Sequence, residues 1–180
     1  MKTAANLVLV GPMGAGKTVL GRRLAVRLGL PFIDLDQEIA KTADATIDDI
    51  FRREGEAAFR EREHAALALA LSGEHQVIAA GGGAILDSRN RGLLHDRACV
   101  AWLSADVGTQ LQRLEGCTDR PLLQVNGRKA RLQELHARRQ DLYQIVADLR
   151  VVTDGLSLDD VQEILESKIR QSWPPAGAIA

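Results

Sequence analysis

The run Gly11-Pro12-Met13-Gly14-Ala15-Gly16-Lys17-Thr18 gathers, within one short stretch, the groups needed to hold a nucleoside triphosphate. Glycines let backbone N–H groups turn inward around a phosphate, and a helix starting at Thr18 would aim its partly positive N-terminus at the same anion. Lys17 would reach the β- and γ-phosphates, and the Thr18 hydroxyl has the length to ligate a Mg²⁺ ion bridging them. The apolar run Leu7-Val8-Leu9-Val10 precedes the motif and a helical pattern follows it, which is the strand–loop–helix frame such a loop requires. A chance glycine-rich β-to-α turn would not also fix the lysine and the threonine. Gly14, Ala15, Gly16, Lys17 and Thr18 are therefore the candidate ATP-binding set, with Mg²⁺ as cofactor.

Two carboxylates follow in Ile33-Asp34-Leu35-Asp36. On a strand through 32–36, their period-2 spacing points both the same way, at the edge where the phosphates should lie. One would help hold Mg²⁺, and the other would take the proton of an attacking hydroxyl, as phosphoryl transfer requires. Asp36 also precedes Gln37-Glu38-Ile39 and could instead cap a helix. Phe59-Arg60-Glu61-Arg62-Glu63 opens an alanine-rich helix, where Arg60 and Glu63 could pair as ordinary surface neighbours. Gly81-Gly82-Gly83 closes a further strand. Bare backbone there can approach a substrate closely, whereas a tight turn needing positive φ explains only one or two of the glycines. The segment 116–128 is bracketed by glycines and longer than most connections, which suits a closing lid, although a passive surface loop fits too. Arg120 within it could swing in and meet phosphate with a bidentate guanidinium. On the helix that follows, either Arg138 or Arg139 could grip an anionic acceptor, and spacing alone does not choose.

These residues need a scaffold, and the chain alternates short apolar runs with longer helical patterns, the signature of a parallel sheet covered by helices. Strands are expected at 7–10, 32–36, 77–80, 100–103 and 150–153, and helices at 18–28, 56–71, 88–95, 107–115, 128–147 and 158–171. The expected fold class is α/β, a three-layer α-β-α sandwich around a five-stranded parallel sheet, with ligands at the C-terminal strand edge. A length of 180 residues suits one domain, taken as 1–171, with an acceptor-binding helical region near 37–71. The tail 172–180, rich in proline, glycine and alanine, is expected to fray. A formal net charge of −1 offers no basic field for nucleic acid or an anionic membrane. Cys99 and Cys117 form no metal or redox spacing, and the chain shows neither a signal peptide nor a membrane-length apolar run. The expectation is a cytoplasmic protein acting on small molecules. No sustained apolar stripe marks an oligomer, and a monomer is expected.

The ordered set Gly11 to Thr18, Phe32-Ile33-Asp34-Leu35-Asp36, Phe59-Arg60 with Glu63, Gly81-Gly82-Gly83, Arg120-Pro121-Leu122-Leu123, and Arg139 with Leu142-Tyr143 resembles the shikimate kinases. Each block is shared with other small-molecule kinases, but their combination is specific and spans most of the chain. The resemblance implies a P-loop fold of the nucleoside monophosphate kinase type, and transfer of the ATP γ-phosphoryl to the 3-hydroxyl of shikimate. It implies Asp36 as base and holder of the acceptor hydroxyls, Arg60 and Arg139 as clamps on its carboxylate, and Gly81, Gly82 and Gly83 against its ring. Glu63 would orient Arg60. Thr18 and Asp34, the latter through water, would belong to Mg²⁺; Lys17 and Arg120 would stabilise the migrating phosphoryl group. Arg113 resembles the arginine that packs on adenine, and Thr153-Asp154-Gly155 would complete that pocket. Asp141 departs from the family pattern, which commonly has proline between Arg139 and Tyr143, and it puts a carboxylate near Arg139.

The residues alone, without the resemblance, imply a kinase for a small, hydroxylated, anionic acceptor. A gluconate-type sugar acid kinase and a nucleoside monophosphate kinase are the neighbouring readings. A P-loop regulatory module, which changes a surface with nucleotide state, is the reading from another class.

Overall fold

Leu7 and Leu9 pack against one layer of helices while Val8 and Val10 pack against another, so the first strand, β1 (Asn6–Val10), is buried on both faces. That is why it reads as a continuous apolar run rather than an alternating one. The computed structural model describes residues 4–116 and 127–173. Around β1 lie β2 (Phe32–Asp34), β3 (Val77–Ala79), β4 (Ala98–Ser104) and β5 (Leu149–Val152) in the order β2-β3-β1-β4-β5, all parallel. Helices α1 (Lys17–Leu28) and α7 (Leu158–Ser172) supply Leu20, Leu24, Val161, Leu165 and Ile169 to one face. On the other face sit α3 (Ile47–Ala70), α4 (Ser88–Arg97) and α6 (Arg128–Val146), through Leu67, Leu94, Tyr143 and Val146. The strand order reverses at β1, whose neighbours are β3 and β4, so a crevice opens at its C-terminal end.

The expected five-stranded, three-layer architecture stands, with three differences. The second strand ends at Asp34, two residues early, because α2 (Leu35–Ala43) starts there. The Asp34 carboxylate caps that helix by accepting from the backbone N–H of Asp36 at 3.1 Å and of Gln37 at 3.3 Å, and Leu35 is fully buried. The helix expected at 56–71 is the second half of α3, whose first half begins after the cap Thr46; at Gly55 the backbone turns to φ 84° and breaks the helical path. The tail does not begin at Ser172: α7 includes that residue, and Trp173 is 1% exposed with its indole N–H donating to the Ala4 carbonyl.

Residues 35–59 form a satellite with its own small core of Ile39, Ile50 and Phe59. It stands beside the sheet's C-terminal edge. On the other side of the crevice, α5 (Val107–Arg113) and the start of α6 meet through Leu114 and Leu132. The expected lid at 116–128 lies largely outside the described residues, as do Arg120 and Cys117. No helix among the described residues is long and apolar enough to cross a membrane.

Candidate active site

The loop after β1 is built by backbone geometry. Gly11, Gly14 and Gly16 all have positive φ, at 147°, 78° and 87°. A Cβ at Gly11 would sit 2.2 Å from the Leu103 carbonyl oxygen, so only glycine lets the loop leave β1 across β4. Gly16 is the N-cap of α1, which directs the first N–H groups of that helix into the loop. The Lys17 ammonium donates to the carbonyls of Gly11 at 2.8 Å and Pro12 at 2.9 Å, holding its charge over the same hollow. The Thr18 hydroxyl donates to Asp34 Oδ2 at 2.7 Å. A hydroxyl and a carboxylate in contact beside a phosphate loop are hard oxygen donors of the type Mg²⁺ takes. Asp34 thus caps α2 with one oxygen and meets Thr18 with the other.

Arg113, at the end of α5, donates to the Gly14 carbonyl at 3.1 Å, to Thr153 Oγ1 at 2.9 Å and to the Thr153 carbonyl at 2.7 Å. It ties the phosphate loop to the turn after β5. In that turn the Asp154 carboxylate accepts from the Asp106 N–H at 2.8 Å.

Asp36 does not lie alongside Asp34 on a strand; it occupies the first turn of α2. Both carboxylates nonetheless line the hollow shared with Gly14, Gly16, Lys17 and Thr18. Asp36 also lines the adjoining hollow formed by Met13, Phe51, Phe59, Arg60, Glu63, Gly81, Gly82, Gly83 and Arg139. It is the carboxylate common to the two.

The second hollow is built from charges under unusual desolvation. Arg60 bonds Glu63 at 2.5 Å and Glu56 at 3.0 Å, and its guanidinium lies 5.2 Å from the centre of the Phe59 ring. Burial works against its charge, but Glu63 and Glu56 outweigh that and raise its pKa above arginine's ordinary value. Glu63 is 1% exposed, and burial pushes its carboxyl up despite the pull of Arg60. An exposed i,i+3 pair is therefore the wrong description of Arg60 and Glu63.

Gly81 and Gly83 owe their place to close approach. None of the three glycines of the turn has positive φ, and a Cβ at Gly81 would meet Glu63 Oε1 at 2.4 Å, while one at Gly83 would meet Arg60 at 2.5 Å. Those two make room for the charged pair.

Arg139 is 4% exposed and faces this hollow; burial lowers its pKa from the ordinary arginine value, which still leaves it charged. Arg138 points to solvent, its side chain 61% exposed and 3.6 Å from Glu134. Asp141 is exposed as well. Two positions apart on a helix, it does not share a face with Arg139. Two contacts escaped the sequence reading, although Tyr143 itself belongs to the motif that carries the resemblance. Glu56 is one helical turn before Arg60, a spacing that could have flagged it, whereas the Tyr143 hydroxyl reaches the Gly82 carbonyl across 61 residues of chain without any local signal.

The family model for shikimate kinase matches residues 13–168. A shikimate kinase of Stenotrophomonas maltophilia is 46% identical over 173 residues, which cover 96% of each chain. The solved shikimate kinase from Acinetobacter baumannii, in complex with shikimate, is 42% identical and superposes with a TM-score of 0.89 over 96% of this chain and 97% of that one. A deoxyadenosine kinase from M. mycoides, 15% identical with a TM-score of 0.62 over 92% of this chain and 98% of its own, shares the fold. With a match this long and a cleft of this composition, the chain belongs to the shikimate kinase family of ATP-dependent kinases.

Proposed function

We propose that the chain transfers the γ-phosphoryl group of ATP to the 3-hydroxyl of shikimate, giving shikimate 3-phosphate for chorismate and aromatic amino acid biosynthesis, as a cytoplasmic monomer. The observation that carries this reading is the position of Asp36, which lines both the phosphate-loop hollow and the arginine-lined hollow next to it. A carboxylate there orients an acceptor hydroxyl toward the γ-phosphorus and takes its proton as the new bond forms. Lys17, with Arg120 from outside the described residues, stabilises charge on the migrating group. Arg113 lies against adenine.

Arg60 and Arg139 clamp the acceptor carboxylate, with Glu63 and Glu56 fixing the Arg60 guanidinium, while the turn of Gly81, Gly82 and Gly83 borders the ring. Two desolvated guanidinium groups select a small carboxylate over a neutral sugar or a nucleoside. Thr18 would hold Mg²⁺ directly and Asp34 through water; when bound, the ion neutralises charge on the β- and γ-phosphates. Phosphorus–proton correlation NMR on the product of ATP, Mg²⁺ and shikimate tests the assignment. The expected product is a phosphomonoester coupled to the proton on carbon 3; phosphate on another hydroxyl, or inorganic phosphate alone, would overturn it.

A further inference from the structure

The turn of Gly81, Gly82 and Gly83 has no side chains with which to anchor itself, yet it must keep its place between two arginines that a ligand carboxylate would pull together. Its carbonyls are held from two directions. Tyr143, 3% exposed on α6, donates its hydroxyl hydrogen to the Gly82 carbonyl at 2.6 Å. Asn90, 0% exposed on α4, donates Nδ2–H to the Ala84 carbonyl at 2.9 Å, where the turn runs into the 3-10 segment Ala84–Leu86.

Each anchor is tied to one of the acceptor arginines. Tyr143 lies one helical turn after Arg139 on the same face of α6, and its ring stacks on Trp102 of β4 with centroids 5.7 Å apart. Asn90 spends its amide on Ala84, so its Oδ1 accepts from His64 Nδ1–H at 2.7 Å; this fixes both the amide orientation and the histidine tautomer. His64 directly follows Glu63 on α3, one turn beyond Arg60. Gly82 itself lies where the halves of the site meet: a Cβ there would be 3.4 Å from the Gly11 carbonyl oxygen and 3.7 Å from Arg139.

We propose that Tyr143 and Asn90 are positioning residues for acceptor binding, holding the glycine turn by the Gly82 and Ala84 carbonyls and thereby fixing the distance between Arg60 and Arg139. The inference rests on the shikimate kinase reading of the site. The hydrogen bonds that Tyr143 and Asn90 make to Gly82, Ala84 and His64 lie outside the nucleotide-binding set, so their loss is expected to act on the acceptor rather than on ATP. Tyr143→Phe keeps the ring and its stack on Trp102 and removes the hydroxyl, which bonds the Gly82 carbonyl and also meets the Arg139 guanidinium, so Asn90→Ala, which leaves Arg139 untouched, is the variant that isolates the turn.

The test is steady-state kinetics of the wild type, Tyr143→Phe and Asn90→Ala, with shikimate and ATP varied separately, beside thermal unfolding of each. Shikimate KM is expected to rise about tenfold in Tyr143→Phe, the scale of one buried hydrogen bond, with ATP KM unchanged within about twofold. Asn90→Ala is expected to move the same constant in the same direction. A shikimate KM unchanged within about twofold in Tyr143→Phe, or an equal rise in ATP KM, would overturn the positioning role and leave the kinase reading intact. A wild type that turns over no shikimate would remove both.

Discussion

The two halves of the cleft are made in opposite ways. The nucleotide half is centred on one octapeptide held largely by its own backbone, with positive-φ glycines, a helix N-terminus and a lysine bonded to carbonyls five and six residues back, and is joined from outside by Asp34 and Arg113. The half proposed to take the acceptor is assembled from α2, α3, the turn after β3 and α6, and depends on side chains buried with their charges. A backbone-built site tolerates surroundings that vary, because its geometry is local. One assembled from distant side chains fails when any supporting element shifts, and its desolvated charges make each contact expensive to lose.

That contrast yields predictions of decreasing size. Asp36→Asn removes the proposed base where the halves join; kcat is expected to fall about 10²- to 10⁴-fold while the ATP dissociation constant, read by calorimetry, stays within about twofold. An equal loss of ATP affinity would make Asp36 part of the nucleotide half. Arg139→Ala should raise shikimate KM about 10- to 100-fold, as loss of a charge-assisted pair does, and Arg138→Ala should change it less than about twofold. The reverse ranking would move the clamp to the solvent face of α6.

Two glycines separate the halves by the kind of damage done. A Cβ at Gly11 meets the backbone oxygen of Leu103 at 2.2 Å with φ at 147°, so Gly11→Ala should lower stability by about 2–4 kcal/mol and weaken ATP binding. A Cβ at Gly83 meets the Arg60 side chain, and the backbone there has an ordinary φ of −107°. Gly83→Ala should therefore fold well, as judged by chemical denaturation, and raise shikimate KM alone by about tenfold.

The smallest expected effect is a pH slope. Burial raises the Glu63 pKa above its ordinary 4.5, so the folded chain holds that proton more tightly than the unfolded one. The associated stability is present below the ordinary value and is lost as pH rises through the raised one. Urea titrations across that range should show the loss in the wild type and a flatter profile in Glu63→Gln; identical slopes would mean that Arg60 compensates Glu63 fully.

The same contrast explains what could be read without the structure. The phosphate-loop groups of the nucleotide half lie within eight consecutive positions, and each strand that frames the loop is an apolar run, so loop, sheet and layer order are legible, whereas Asp34 and Arg113 come to it from elsewhere in the chain. Asp34 was harder: period-2 alternation through Leu35 suggests a longer strand, and only the cap bonds to Asp36 and Gln37 reveal that the chain has already turned helical. Arg60 and Glu63 look like a surface pair because helical spacing says nothing about what covers the helix, here the glycine turn from beyond β3. Arg139 and Arg138 are adjacent letters separated by burial alone. Sequence resemblance supplied these assignments where local physics left them open.

The central claim, that the arginine-lined hollow makes the nucleotide half a shikimate-dependent kinase, is tested most directly by coupled ADP release from the purified chain with ATP and Mg²⁺. Shikimate, gluconate, nucleoside monophosphates and no acceptor are compared side by side. ADP release that requires shikimate and saturates with it is the predicted result; release at the same rate with every acceptor and with none would contradict the account.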